Sequence, residues 1–228
     1  MKTHGHDIER FASHARSIVF ETHDNGTPRR IDHFVDDQIV GRQYQDEDGQ
    51  LESVIHIRDD QLHGPWYEFR EGALSFITHY QEGLEHGVAV QYTPEGDVLG
   101  RYEMDHGTGV DLWYDFDTGQ LAEEREMRDG ERHGVERWWD AGDTIWKESR
   151  FREGIRHGVF REWNDGELDE DFPQFFVDGD KLDRDRYAEA AAEREDLPAY
   201  DAAEDSPSRE RLESTREMLA EMDSDARA

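Results

Sequence analysis

Histidine followed by glycine recurs through this sequence, as His63-Gly64, His86-Gly87, His133-Gly134 and His157-Gly158. Imidazoles at regular intervals are the first residues to weigh as metal ligands, because neutral histidine binds zinc and related ions well. The spacing argues against that chemistry. If each pair belongs to one hairpin, successive hairpins advance by two strand spacings, roughly 10 Å, too far for equivalent histidines to share an ion. His4-Gly5-His6 offers two more imidazoles near the N-terminus, too few ligands for a tight site. The expectation is that the chain has no metal site.

Other chemical motifs are weaker still. Asp117-Thr118-Gly119 matches the tripeptide of aspartic proteases, whose chemistry needs two buried carboxylates sharing a proton, and no second Asp-Thr-Gly or Asp-Ser-Gly is present. Asp46-Glu47-Asp48-Gly49 opens like a calcium loop, but Ile57 stands where the twelfth-position Glu belongs. Nucleophile-elbow, zinc-protease and phosphate-loop patterns are missing, and the sequence contains no Cys, which removes thiol nucleophiles and disulfides. No catalytic residue, no cofactor and no enzyme activity are expected.

The elements that would carry these residues are strands. Thr108-Gly109 stands in register with the His-Gly pairs, and the steps from His63 through His86, Thr108 and His133 to His157 are 23, 22, 25 and 24 residues. A period of this size marks a stacked array. Two further glycine columns accompany it, one mid-repeat (Gly49, Gly72, Gly96, Gly119, Gly142, Gly166) and one closing each repeat (Gly83, Gly107, Gly130, Gly154, Gly179). Glycines so placed suit hairpin turns. An apolar column three residues before the closing position runs Phe34, Ile57, Tyr80, Met104, Met127, Phe151, Phe176, with Asp37 and Asp60 replacing the first two glycines. Asn25-Gly26 supplies the first hairpin turn. The fold class predicted is mainly β: an elongated single-layer antiparallel sheet of about seven stacked β-hairpin repeats, with short terminal helices.

These residues resemble the MORN repeats, in particular their bacterial variant form. Gly64-Pro65-Trp66-Tyr67-Glu68-Phe69, Gly72, Leu74, Tyr80, Gly83 and His86-Gly87 follow its pattern. The resemblance covers about Ser17 to Leu182. It implies a twisted sheet of hairpins with a grooved face. Some bacterial members are antitoxins or partners of toxins, so the resemblance also implies a role of that kind.

Three regions follow: a helical cap over 1–16, the hairpin array over 17–182, and an acidic tail over 183–228, helical or partly disordered. Ile8, Phe11, Ala12 and Ala15 give the cap its helical spacing. In the last repeat Phe172-Pro173-Gln174 interrupts the return strand, because proline has no amide to donate. In the tail, 183–196 reads as a helix and 197–205 as a linker. Ser206-Pro207 then reads as the start of a second helix. Its stripe of Leu212, Leu219 and Met222 is thin, and the expectation is a solvated helix over a docked one.

Charge narrows the partners. The formal net charge of −31 sets the protein against nucleic acid and anionic membranes, which are themselves polyanions. With no leader-like or membrane-length apolar run, a cytoplasmic location is expected. Lysine is nearly absent, three against 23 Arg, and the acids are spread along the chain. Adaptation to high salt explains such a surface; a surface evolved for one basic partner is the other reading.

Counted from each repeat glycine, positions +1, +3 and +5 share one sheet face and +2 and +4 the other. Trp66, Trp113, Trp138 and Phe160 stand on the second face beside Glu68, Glu136 and Glu162. These seven are the candidate partner-binding residues, since tryptophan dominates interfaces. Packing of the same rings within the protein is the alternative, because a single-layer sheet has no second layer to define an inside. The function expected is a non-enzymatic protein-binding scaffold with a basic or peptide-like partner. The alternative is a small-ligand or carbohydrate binder using the aromatic ladder. Oligomeric state is not encoded in any of these features.

Overall fold

Turns that demand positive φ lay out this fold. The computed structural model of the chain describes residues 11, 14–140 and 142–225. At one end of the strands lie Asp36-Asp37, Asp59-Asp60, Glu82-Gly83, His106-Gly107, Asp129-Gly130, Glu153-Gly154 and Asp178-Gly179, with φ between 48° and 92°. Two consecutive positive φ values define the hairpin turn whose twist matches that of the strands, which is why Asp can replace glycine in the early repeats. At the other end the turn glycines Gly26, Gly49, Gly72, Gly96, Gly119, Gly142 and Gly166 all have positive φ.

The result is one open antiparallel sheet of 18 strands in hairpin order, as the columns predict. The chain divides into two units, Met1–His106 and Gly107–Ala228. The first holds β1 (Arg16–Thr22), β2 (Pro28–Val35), β3 (Gln38–Gln45), β4 (Leu51–Arg58), β5 (Gln61–Arg70), β6 (Ala73–Gln81), β7 (Leu84–Glu85), β8 (Gly87–Tyr92) and β9 (Val98–Asp105). The second holds β10 (Thr108–Tyr114), β11 (Leu121–Arg128), β12 (Glu131–Trp139), β13 (Ile145–Arg152), β14 (Ile155–Arg156), β15 (Gly158–Asn164), β16 (Glu167–Leu168), β17 (Gln174–Val177) and β18 (Asp180–Leu182). Helices α1 (Arg184–Glu193) and α2 (Glu213–Asp225) follow. The helical cap expected over 1–16 falls almost wholly outside the described residues. Phe11 is described, and its ring stacks on His33 at 4.2 Å.

The His-Gly glycine is not a turn. Ile55 pairs Trp66 while Ile57 pairs Leu62, so His63, Gly64 and Pro65 oppose His56 alone. The same bulge recurs where Arg125 pairs Glu136 and Met127 pairs Arg132. A bulge leaves backbone groups unpaired, and the opposing side chain takes them up: His56 Nδ1 meets the Pro65 carbonyl at 2.8 Å, His79 Nδ1 that of Val88 at 2.9 Å, and Glu126 accepts the Val135 N–H at 2.6 Å.

Both faces bury side chains. In the first unit the odd face carries Val54, Tyr67, Leu74 and Tyr92 with Phe69, Ile77 and Val90 packed around them. On its even face Ile55, Phe76, Thr78, Ala89, Tyr102 and Met104 are buried. Each fully buried apolar side chain contributes about 1.5–3 kcal/mol, so neither face is a bare surface. In the second unit the odd face lies under the tail. Tyr187 of α1 packs with Val159, Phe175 and Leu197, and Asp183 caps α1 by accepting the Arg186 N–H at 3.0 Å.

The second helix corrects the sequence reading twice. It starts at Glu213, not at Ser206-Pro207, because the intervening residues are spent on docking. The Pro207 carbonyl accepts the Ile145 N–H at 3.0 Å, Ser208 bridges Thr144, and the Arg209 N–H donates to the Asp143 carbonyl at 3.0 Å. Nor is the helix solvated all round. Thr215 is fully buried, and the Tyr114 hydroxyl reaches Met222 Sδ at 4.0 Å.

Candidate functional site

The second unit exposes large aromatic rings beside partly buried acids on its even face. Cross-strand pairing sets the row: Trp113 opposes Glu123, Glu123 opposes Trp138, Trp138 opposes Lys147, and Lys147 opposes Glu162. Directly opposed residues share a face and touch. Trp113 is 40% exposed and meets Phe116 edge to face at 5.7 Å; Trp146, also 40% exposed, tilts against Trp138 at 5.4 Å. Trp146 lies between two paired positions, where the register shifts by a residue. That displacement hid it from a reading by fixed repeat position.

Beside the rings, one guanidinium serves three carboxylates. Arg125 Nε donates to Glu136 at 3.0 Å, Nη1 to Asp111 at 3.2 Å, and Nη2 to Glu123. Burial pushes the Glu123 carboxyl up from its ordinary value, with Arg125 opposing. Arg132 adds a contact to Glu136 at 3.4 Å, and Lys147 pairs Glu162 at 3.1 Å. Acids outnumber the bases that hold them.

The seven sequence candidates therefore divide. Trp113, Trp138 and Glu162 lie on this strip. Glu136 lies there too, but it is 4% exposed and spent on Arg125 and Arg132. Phe160 is 6% exposed, packed between Phe151 and Phe176, so its ring belongs to the interior. Trp66 and Glu68 stand in the first unit, where Trp66 is half-buried against Tyr80 at 5.7 Å and burial raises the Glu68 carboxyl's pKa.

Under the tail, the odd face of the second unit holds an ion-pair ladder. Leu112 opposes Glu124, then Glu124 opposes Arg137, Arg137 opposes Glu148, and Glu148 opposes Arg161. Arg137 joins Glu124 at 3.2 Å and Glu148 at 2.9 Å, and Arg161 reaches Glu148 at 3.4 Å. The tail completes the ladder at both ends. Arg209 Nε bonds Glu148 at 3.0 Å, Asp205 accepts from Arg161 at 3.0 Å, and Glu124 accepts the Leu212 N–H at 3.2 Å and the Thr215 hydroxyl at 2.8 Å. A carboxylate from the sheet thus sits at the N-terminus of α2, where the helix dipole favours it. Burial pushes the Glu148 carboxyl up, but the bonds and charges of Arg209 and Arg137 outweigh it and hold the pKa at about 2.

The motifs weighed for chemistry serve the backbone. Asp115 accepts from the Thr118 N–H at 2.8 Å and its hydroxyl at 2.7 Å, so Asp117-Thr118-Gly119 is a turn. Asp46 accepts the Asp48 and Gln50 N–H groups at 3.0 and 2.8 Å. Three members of the His-Gly column lock hairpin to hairpin. His86 Nδ1 accepts the His106 N–H at 3.3 Å, Thr108 Oγ1 that of Asp129 at 3.1 Å, and His157 Nδ1 that of Asp178 at 3.2 Å. Thr108 fills the histidine place because a hydroxyl accepts equally well. One group of metal-ligand type exists among the described residues: His86, Asp105 and His106.

No protein-family model matches the chain, and no curated protein matches it. Among the described residues no helix is long and apolar enough to cross a membrane.

Proposed function

We propose that this protein is a non-enzymatic protein-binding scaffold that engages a basic, peptide-like partner through the strip Trp113, Phe116, Glu123, Trp138, Trp146 and Glu162. The observation that carries the reading is the exposure of Trp113 and Trp146 beside acids that share too few bases. Exposed tryptophan adds little to folding, and desolvated tryptophan anchors interfaces. Lysine or arginine of a partner would relieve the carboxylates crowded on Arg125 and be steered there by the −31 charge. Toxin or effector neutralisation is the subtype that the resemblance to MORN repeats implies. Co-expression with a toxin-like neighbouring gene tests it through rescue of growth.

A random peptide array tests the class. Binders should be enriched in Lys and Arg, and Trp113→Ala should weaken them by about 2 kcal/mol, roughly 30-fold, with melting unchanged. Phe160→Ala is the contrast, since emptying a buried ring site costs about 3–5 kcal/mol of stability. Binders without basic enrichment, or indifferent to Trp113→Ala, defeat the proposal. Oligosaccharides that saturably quench tryptophan emission, with no peptide bound, would favour a carbohydrate binder.

A further inference from the structure

In the first unit the turn of one hairpin brings a second histidine onto the His-Gly histidine of the hairpin before it. His86 and His106 have ring centroids 4.2 Å apart. Asp105 Oδ1 stands 2.7 Å from His106 Nδ1 and 3.3 Å from His86 Nδ1. One nitrogen from each ring and one carboxylate oxygen lie within 4.8 Å of one another. Ligands about 2.0–2.2 Å from a tetrahedral zinc ion are themselves roughly 3.4 Å apart, so small side-chain adjustments suffice.

We infer that His86, Asp105 and His106 form a binding site for a divalent transition-metal ion of the zinc type, with water completing the coordination. Two imidazoles and one carboxylate are a borderline ligand set that selects such ions over magnesium or calcium. The spacing of equivalent histidines does not reveal this group, because His106 belongs to the turn of the next hairpin.

Two comparisons within the molecule separate this cluster from its relatives. At the turn place of His106, the six sister turns carry Asp36, Asp59, Glu82, Asp129, Glu153 and Asp178, so histidine is particular to this hairpin. In the second unit His157 also lies beside two carboxylates, Asp178 at 3.1 Å and Asp196 at 3.3 Å. There Arg152 and Arg194 bond both acids and take the place of a cation. At Asp105 the groups in contact with the carboxylate are the two imidazoles. The net charge of −31 adds a field that concentrates cations.

Titration of the full chain with zinc chloride, by calorimetry and native mass spectrometry, tests the site. His106→Asp installs the residue that sister turns hold at positive φ, and His86→Thr installs the Thr108 solution, so both should keep the fold. The wild type should take up one zinc ion per chain, and each substitution should weaken it at least tenfold. A His4→Ala/His6→Ala double variant should bind as the wild type does. Absence of uptake, unchanged uptake in His106→Asp, or loss confined to the His4/His6 variant each overturns the inference.

Discussion

Glu148 shows what a single buried side chain commits this protein to. Its carboxylate is held by Arg137, Arg161 and Arg209 at a pKa of about 2, against an ordinary 4.5. A depressed carboxyl contributes stability that is fully present above its unfolded pKa and is lost as pH falls toward the folded one. Between pH 4.5 and 2, urea unfolding should therefore reveal a loss of about 3 kcal/mol from this group. Glu148→Gln should be destabilised at neutral pH by about 3–5 kcal/mol, because three guanidiniums lose their shared partner, and should shed that part of the acid slope. A full acid slope in the variant would assign it to other carboxylates. The sequence did not disclose the ladder, because Arg209 lies 61 residues from Glu148 and nothing in the repeat marks it. Trp113 and Phe160 make the same point about faces. Both occupy even positions, yet only Phe160 has Phe151 and Phe176 beside it to fill the space around its ring.

Hairpins were the most legible elements, since each turn requires residues that tolerate positive φ and those residues form columns. Close stacking of the turns was less visible. The Gly130 N–H donates to the Gly107 carbonyl at 3.0 Å, and the Gly154 and Gly179 N–H groups reach the hairpin before in the same way. A Cβ on Gly107 would come within 2.3 Å of the Gly130 nitrogen, whereas one on Gly26 would meet nothing within 4 Å. Both glycines have positive φ, 75° and 85°. Thermal melts should thus show Gly26→Ala losing only the backbone cost of about 1–2 kcal/mol, and Gly107→Ala losing clearly more. Equal losses would mean that the turns can part without penalty. The start of α2 was illegible for a related reason. The Leu212 N–H just ahead of it is bonded by Glu124, 88 residues earlier, so the local Ser206-Pro207 signal competed with a distant carboxylate and lost.

Across the whole chain the acids are dispersed: 183–228 carry 15 acids and 7 Arg, a net of −8, and the remaining residues supply the other −23. Like charges so spread repel through solvent, and raising ionic strength from 0.1 to 1 M shortens the screening length from about 10 to about 3 Å. The melting temperature should climb with molar KCl; a flat response would leave the acidity to partner recognition alone. The lock between hairpins carries a different consequence. Three repeats offer one side-chain acceptor forward, through His86, Thr108 and His157, and the turn that follows each presents one N–H backward, from His106, Asp129 and Asp178. Copying one such stretch in frame adds a socket and a plug together and leaves every existing joint closed. An array of this kind can lengthen by gene duplication one hairpin at a time, with no compensating change elsewhere in the chain.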